Sequence, residues 1–384
     1  MTVVPILSGP SDAALAVREI GPDVACLTVR LGALHENYRM CRQLSGAAVV
    51  AGVVKADAYG TGMPAAAGAL RNAGCDTFFV ARLSEGLGLR PLVPDARIFV
   101  LDGAQRDTVP ALISSRLTPV LNSLAQIDTW SAAARVRNAT LDAAIHLDTG
   151  INRLGLPAYE TAELIANAPS LLKGIDVAVI MSHLAFAEDP AASMNAIQLE
   201  RFRAALADLP PAPASLSSSA GILLGRDFVF DMVRPGVALF GGNPQPKKAN
   251  LFKPVAILSG RILQLRRVDK GEGVGYGATF RAGRPSTLAT VALGYADGLM
   301  RAIGNRGVAA IAGVRVPVVG RVSMDLVTLD VTDVPETART VGAEVEFLGD
   351  TISLEEFAAA ANTASYEILT SLGTRAPRRY VDAA

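Results

Sequence analysis

Cysteine is scarce in this 384-residue chain: there are three, Cys26, Cys41 and Cys75, and none follows residue 75. An odd number without metal-site spacing excludes a disulfide framework and a cysteine-ligated metal centre, and predicts reduced core thiols in a cytoplasmic protein. Histidine also numbers three, and tryptophan one. Neither sign of charge dominates, with 36 Lys and Arg against 36 Asp and Glu. That balance argues against nucleic acid or an anionic membrane as the main partner. No uncharged apolar run approaches the ~20 residues that span a bilayer. The opening segment, MTVVPILSGPSDAALAVREIG, has no basic flank before its short apolar run, so no signal peptide is expected. What is left is a soluble protein with a small-molecule partner. Its hydrophobic content, 50% of 384 residues, suffices for two cores.

From residue 31 the sequence alternates helix-period stretches with short apolar runs rich in Val, Ile and Phe, the pattern of parallel strands joined by crossover helices. Strands are expected near Val49–Val54, Thr77–Ala81, Arg97–Leu101, Thr118–Leu121, Ala143–Leu147, Asp176–Met181, Ala214–Ser217 and Phe228–Val233. Helices such as Met63–Ala73, Leu124–Val136, Tyr159–Ala168 and Met194–Leu206 separate them. Eight such units in about 200 residues predict an α/β fold, a closed (β/α)8 barrel of the TIM type over 31–245. After a linker rich in Pro, Gly, Lys and Asn, GGNPQPKKAN (Gly241–Asn250), Gly-punctuated β-rich runs predict a mainly β domain over 251–384. Ser353-Leu-Glu-Glu356 has capping-box spacing for a closing helix. An N-terminal strand within residues 10–30, containing VACLTVR, is expected to pair with this second domain.

Active sites of such barrels lie at the C-terminal ends of the strands. The residues placed there are Lys55 and Tyr59 after the first strand, Arg153 after the fifth and His183 after the sixth. SSSAG (Ser217–Gly221) follows the seventh strand and RPGVALFGG (Arg234–Gly242) the eighth. The last two loops are where barrels hold a phosphate: SSSAG offers hydroxyls and amides, and Gly236 and Val237 would supply further backbone N–H donors. A phosphate site facing a lysine suggests pyridoxal phosphate, whose aldehyde needs an amine.

The motifs VVKADAYGTG, HLDTGINRLG, MSHLAFAED, LSSSAG, MVRPGVALFGG, GVGYGATF, LGYADG, VGRVSMD and SYEILTSLGTRAPRRY stand in the order and spacing of the alanine racemase family. The chain resembles that family over about residues 24–381. The resemblance implies a homodimer that interconverts L- and D-alanine with pyridoxal 5'-phosphate and supplies D-alanine for peptidoglycan. It implies that Lys55 carries the cofactor, that Tyr59, Ser219, Gly236, Val237 and Tyr366 hold its phosphate, and that His183 lies near the ring. Arg234 would face the pyridine nitrogen, disfavouring its protonation and so suppressing transamination. Arg153 would face the substrate carboxylate and the cofactor's phenolic oxygen. Tyr276 would be a second catalytic base and Met324 a backbone donor to the carboxylate, both from the partner subunit. Inversion at Cα needs a base on each face of a planar intermediate, and Lys55 and Tyr276 fill those two places.

Taken singly, these residues have blander readings: a strand-end lysine for Lys55, a turn aromatic for Tyr276, core packing for Met324, structural ion pairs for Arg153 and Arg234, and helix caps for Ser218 and Ser219. Their joint position at predicted strand ends outweighs these. Departures from the family pattern are His146, where many relatives have a carbamylated lysine that steers the arginine, and Thr61, Ser218, Ile151 and Leu326. A racemase of broader range, acting on serine or basic amino acids, is the alternative reading. A barrel-type decarboxylase fits less well, because the C-terminal half has no cysteine and Arg234 stands where an acidic residue is expected. A non-catalytic pyridoxal-phosphate carrier would need neither the second domain nor Tyr276.

Overall fold

The computed structural model describes residues 24–382. Residues 10–23 of the expected N-terminal strand, and Ala383 and Ala384, lie outside the described residues.

Seven parallel strands run in sequence order: Gly52–Val53, Thr77–Val80, Arg97–Val100, Thr118–Leu121, Leu141–His146, Ile175–Met181 and Ala214–Ser215. An eighth, Met232–Val233, closes the ring. It pairs in parallel with Val49–Val50, the first half of a strand interrupted at Ala51. On its other side the Arg234 amide donates to Ser217 O at 2.9 Å beside the Ser218–Arg234 bridge. The fold is therefore the expected closed (β/α)8 barrel. Its strands are apolar on both faces because helices cover the outside and side chains fill the inside. Phe78, Phe79 and Phe99 are fully buried, and the Phe79 and Phe99 rings stack with centroids 4.5 Å apart.

Local signals set the helix limits. Pro64 sits in the first turn of Met63–Asn72, where its missing N–H costs nothing. Ser123 Oγ accepts the Gln126 amide to start Leu124–Arg137, which ends at Asn138 in the left-handed conformation. The expected eighth strand is shorter than Phe228–Val233, because Arg226–Phe228 form a 3-10 turn whose last carbonyl accepts the Ser217 hydroxyl.

The C-terminal domain is mainly β, built on the long strand Ala256–Val268. Its first half pairs with Ala25–Arg30 on one side and Glu344–Leu348 on the other, and its second half pairs with Ser286–Val291. Ala25–Arg30 also pairs in parallel with the last strand, Arg378–Val381. Ser353 Oγ accepts the Glu356 amide at 3.1 Å, starting Leu354–Ala361. The Glu356 side chain turns to Arg315 instead of completing a reciprocal cap. The Gly241–Asn250 connection is buried over its first half. The Asn243 amide donates to Glu355, and Gln245 Nε2 donates to Ala187 O at 3.3 Å, so its polar residues are tied into the fold. Among the described residues, no helix is long and apolar enough to cross a membrane.

Candidate active site

Lys55 opens a turn in which Ala56, Asp57, Ala58 and Tyr59 all have φ between 52° and 54°. Four consecutive non-glycine residues in the left-handed region cost about 1–2 kcal/mol each, so the surroundings must impose the turn. Glu85 Oε1 accepts the Ala56 amide at 2.7 Å, while its Oε2 accepts Ala81 and Arg82. Asp57 Oδ1 accepts the Met63 amide at 2.7 Å. The Thr61 hydroxyl donates to Ala58 O at 2.6 Å, which gives the departure at Thr61 a local structural role. The chain's last strand adds a clasp: Arg378 Nη2 donates to Gly60 O at 2.7 Å, and Tyr380 Oη to Thr61 O at 3.2 Å. Both domains thus hold the lysine.

The turn leaves the Lys55 ammonium largely desolvated and near Arg153. Burial first, and then that guanidinium, lower its pKa, against the opposing pull of Glu85 and Asp102. Tyr59, at the end of the same turn, is buried. Its ring stacks on Phe240 at 4.9 Å and lies 6.4 Å from the Tyr366 ring. A Cβ on Gly236 would fall inside van der Waals contact with Tyr59 Oη. Ser219 Oγ accepts the amides of Gly236 at 2.9 Å and Ala238 at 3.2 Å. Val237 lies between these two residues and is buried.

Arg234 is 4% exposed. Its Nη1 donates to Ser215 Oγ, and its Nη2 donates to Ser182 O at 2.6 Å. Burial pulls its pKa down to about 9, which still leaves it charged at neutral pH. His183 is pushed down to about 3 by burial, and then by Arg234, Arg153, His146 and Lys55, so it is neutral. His146 ends the fifth strand and is held down to about 4, chiefly by burial and then by Arg234.

One mouth therefore gathers Lys55, Tyr59, Arg153, His183, Ser219, Arg234, Gly236, Val237 and Tyr366. Tyr276 and Met324 are instead on the surface of the β domain, 72% and 52% exposed. Sequence reasoning missed Glu85, Asp57 and Arg378, the residues that hold the Lys55 turn in place. Only Glu85, three residues after Arg82 at a helix start, carried a local signal. The mouth's residues fit pyridoxal phosphate: a desolvated amine, hydroxyls and amides around a cradle that a Cβ would fill, and a fixed buried arginine.

Comparison with known proteins agrees. Residues 29–244 match the family described as alanine racemase, N-terminal domain, and residues 255–380 match alanine racemase, C-terminal domain. The chain is 48% identical to an alanine racemase of Rhodospirillum rubrum, over 93% of this chain and 96% of that protein. It is 47% identical to a catabolic alanine racemase of Agrobacterium fabrum, over 92% of each. It is similar to the crystal structure of alanine racemase from Bartonella henselae with covalently bound pyridoxal phosphate. That similarity has a TM-score of 0.90 and 40% identity, and covers 94% of this chain and all of that one.

Proposed function

The chain belongs to the alanine racemase family, and from that premise we propose that it interconverts L- and D-alanine with pyridoxal phosphate, in a dimer whose two subunits share each site. The observation that carries this reading is Lys55, whose amine is desolvated beside Arg153 at the same mouth as the Tyr59, Ser219 and Gly236 cradle.

When bound, the cofactor supplies an aldehyde for an amine and a conjugated ring that takes up the electron pair left at Cα. Tyr59, Ser219, Gly236, Val237 and Tyr366 would hold its phosphate, Arg234 would face its pyridine nitrogen, and neutral His183 would lie near the ring. Arg153 and the backbone N–H of the partner subunit's Met324 hold the substrate carboxylate. Lys55 Nζ removes or returns the Cα proton on one face, and the partner subunit's Tyr276 does so at Oη on the other. The lowered pKa of Lys55 favours the free amine a base requires. The exposure of Tyr276 and Met324 in a single subunit supports their reaching a neighbour's site. The reading extends to a cytoplasmic enzyme that feeds peptidoglycan, so a bacterium stripped of its own racemases should grow without added D-alanine when given this chain.

The enzymatic test uses purified protein with bound cofactor, in heavy water, with each alanine enantiomer. Both should racemise and gain deuterium at Cα. Cofactor-bound protein that put no deuterium into either enantiomer would sink the proposal.

A further inference from the structure

The helix Ser193–Asp208 follows the sixth strand, and one of its side chains, Gln198, is a fully buried amide. Burying an amide is costly unless each of its groups is paired. Here every bond goes to the two loops that leave the fifth and sixth strands. Gln198 Oε1 accepts the Ala185 amide at 2.8 Å, while Nε2 donates to His183 O at 3.0 Å and to Thr149 Oγ1 at 3.2 Å. The Ala185 N–H can only donate and the His183 carbonyl can only accept, so the direction of the amide is fixed. One side chain thus grips the loop after the sixth strand at two backbone points and ties it to the neighbouring loop at a third.

The pairing continues inward. Thr149 Oγ1 lies 2.7 Å from Ser182 Oγ, and both residues are buried. The Ser182 amide donates to Ser215 O at 3.0 Å, and Ser182 O accepts Arg234 Nη2 at 2.6 Å. The polar chain Gln198–Thr149–Ser182–Arg234 therefore joins the ends of the fifth, sixth and eighth strands. Inside the protein such bonds are stronger than on the surface, and a missing partner is costlier. The same helix face adds Arg201, whose Nη1 donates to Thr149 O at 3.0 Å. A Cβ on Gly150 would come within 2.5 Å of Met194 Cε and 3.5 Å of Gln198 Cγ, so the loop lies flat against Met194, Gln198 and Arg201.

We propose that Gln198 is a positioning residue: its carboxamide locks the loops after the fifth and sixth strands together, and so sets where His183 and the Ser182 carbonyl that holds Arg234 stand at the cofactor site. It acts through the backbone of the sixth-strand loop and the Thr149 hydroxyl, so removing it displaces His183 and Arg234 without removing either. The consequence for turnover rests on the activity proposed above; the consequence for the cofactor's surroundings does not.

The test uses holoenzyme and reads cofactor absorbance together with kinetics per bound cofactor, which a loss of stability alone would leave unchanged. Gln198→Met keeps the length of the side chain and none of its three bonds. It should shift the absorbance maximum of the bound cofactor and lower kcat for both alanine enantiomers about tenfold, with KM changed by less than about threefold. Thr149→Val should lower kcat by about threefold, and Thr149→Ser, which keeps the hydroxyl and gives up a methyl group, should recover most of that loss. Thr149→Val should also cost less in the Gln198→Met background than in the native chain, and equal costs in the two backgrounds overturn the inference. Gln198→Met with native absorbance and native kcat per bound cofactor overturns it as well. Should that variant fail to fold, the Thr149 pair decides, and a valine variant as active as the serine one overturns the inference. If the absorbance responds to Gln198→Met while the native enzyme racemises no alanine, the inference stands and the proposed function falls. If the native enzyme racemises alanine while neither absorbance nor kcat responds, the proposed function stands and the inference falls.

Discussion

Gly236 approaches Tyr59 so closely that any side chain at 236 would collide with the tyrosine hydroxyl. Tyr59 cannot retreat, being stacked on Phe240 and anchored at the end of the left-handed turn. Gly236→Ala should therefore weaken pyridoxal phosphate binding by about tenfold or more, since it displaces the proposed phosphate ligand Tyr59 and the amide loop together. Titration of the cofactor absorbance checks this, and unchanged affinity would remove Tyr59 and Gly236 from the phosphate site.

The turn that presents Lys55 is strained, and Glu85 opposes the strain. Glu85→Ala leaves three amides without their acceptor and should cost about 2 kcal/mol of stability in urea unfolding. Conversely, Ala56→Gly relieves a residue held at φ 52° and should raise stability by up to about 1 kcal/mol, before the added freedom of the unfolded chain is subtracted.

Arg375 links the segment that carries Met324 to the body of the β domain. Its Nε and Nη2 donate to Asp297 at 2.7 and 2.6 Å, its Nη1 donates to Asp325 at 2.5 Å, and its Nη2 also donates to Met324 O at 3.2 Å. If the Met324 amide binds the substrate carboxylate across the dimer, Arg375→Ala should raise KM for alanine about tenfold and change kcat less. Arg375→Lys, which cannot span both carboxylates in the same fork, should fall between the two. A kcat effect without a KM effect would contradict the role given to Met324.

Acid should weaken the protein through its buried histidines. His146 and His183 are held to about 4 and about 3, against 6.5 for an ordinary histidine. As pH falls below 6.5, the unfolded chain takes up protons that the folded chain refuses. Each histidine then removes about 1.4 kcal/mol of stability per pH unit until its folded pKa is reached. Denaturation across that range should show the slope, and His146→Gln should roughly halve it down to about pH 4, His183 supplying the remainder.

Much of the barrel was legible because its strands are short apolar runs between helix-period segments. Thr118–Leu121 matches the expected limits, and the Lys55 and Arg234 loops fall at strand ends where function was sought. The left-handed turn was not legible: Ala-Asp-Ala-Tyr has no glycine, and the residues that impose its conformation, Glu85, Arg378 and Tyr380, are distant in sequence. The Gly241–Asn250 stretch read as a linker from composition, yet Asn243 and Gln245 are buried because partners from other segments satisfy them. Similarly, nothing local in the sequence marks Asn122 as the residue whose Oδ1 lies 2.8 Å from His146 Nδ1.

The two-base, two-subunit site is tested most directly by mixing inactive parents. Lys55→Ala and Tyr276→Phe homodimers should each be severely impaired. Subunit exchange creates heterodimers in which one site has both substitutions and the other has both native residues. Activity should then return toward roughly a quarter of the native level, since about half the dimers are mixed and each holds one intact site. If Lys55 and Tyr276 of the same subunit formed each site, every site in the mixture would lack one base. No activity would return, and the shared-site mechanism would be contradicted.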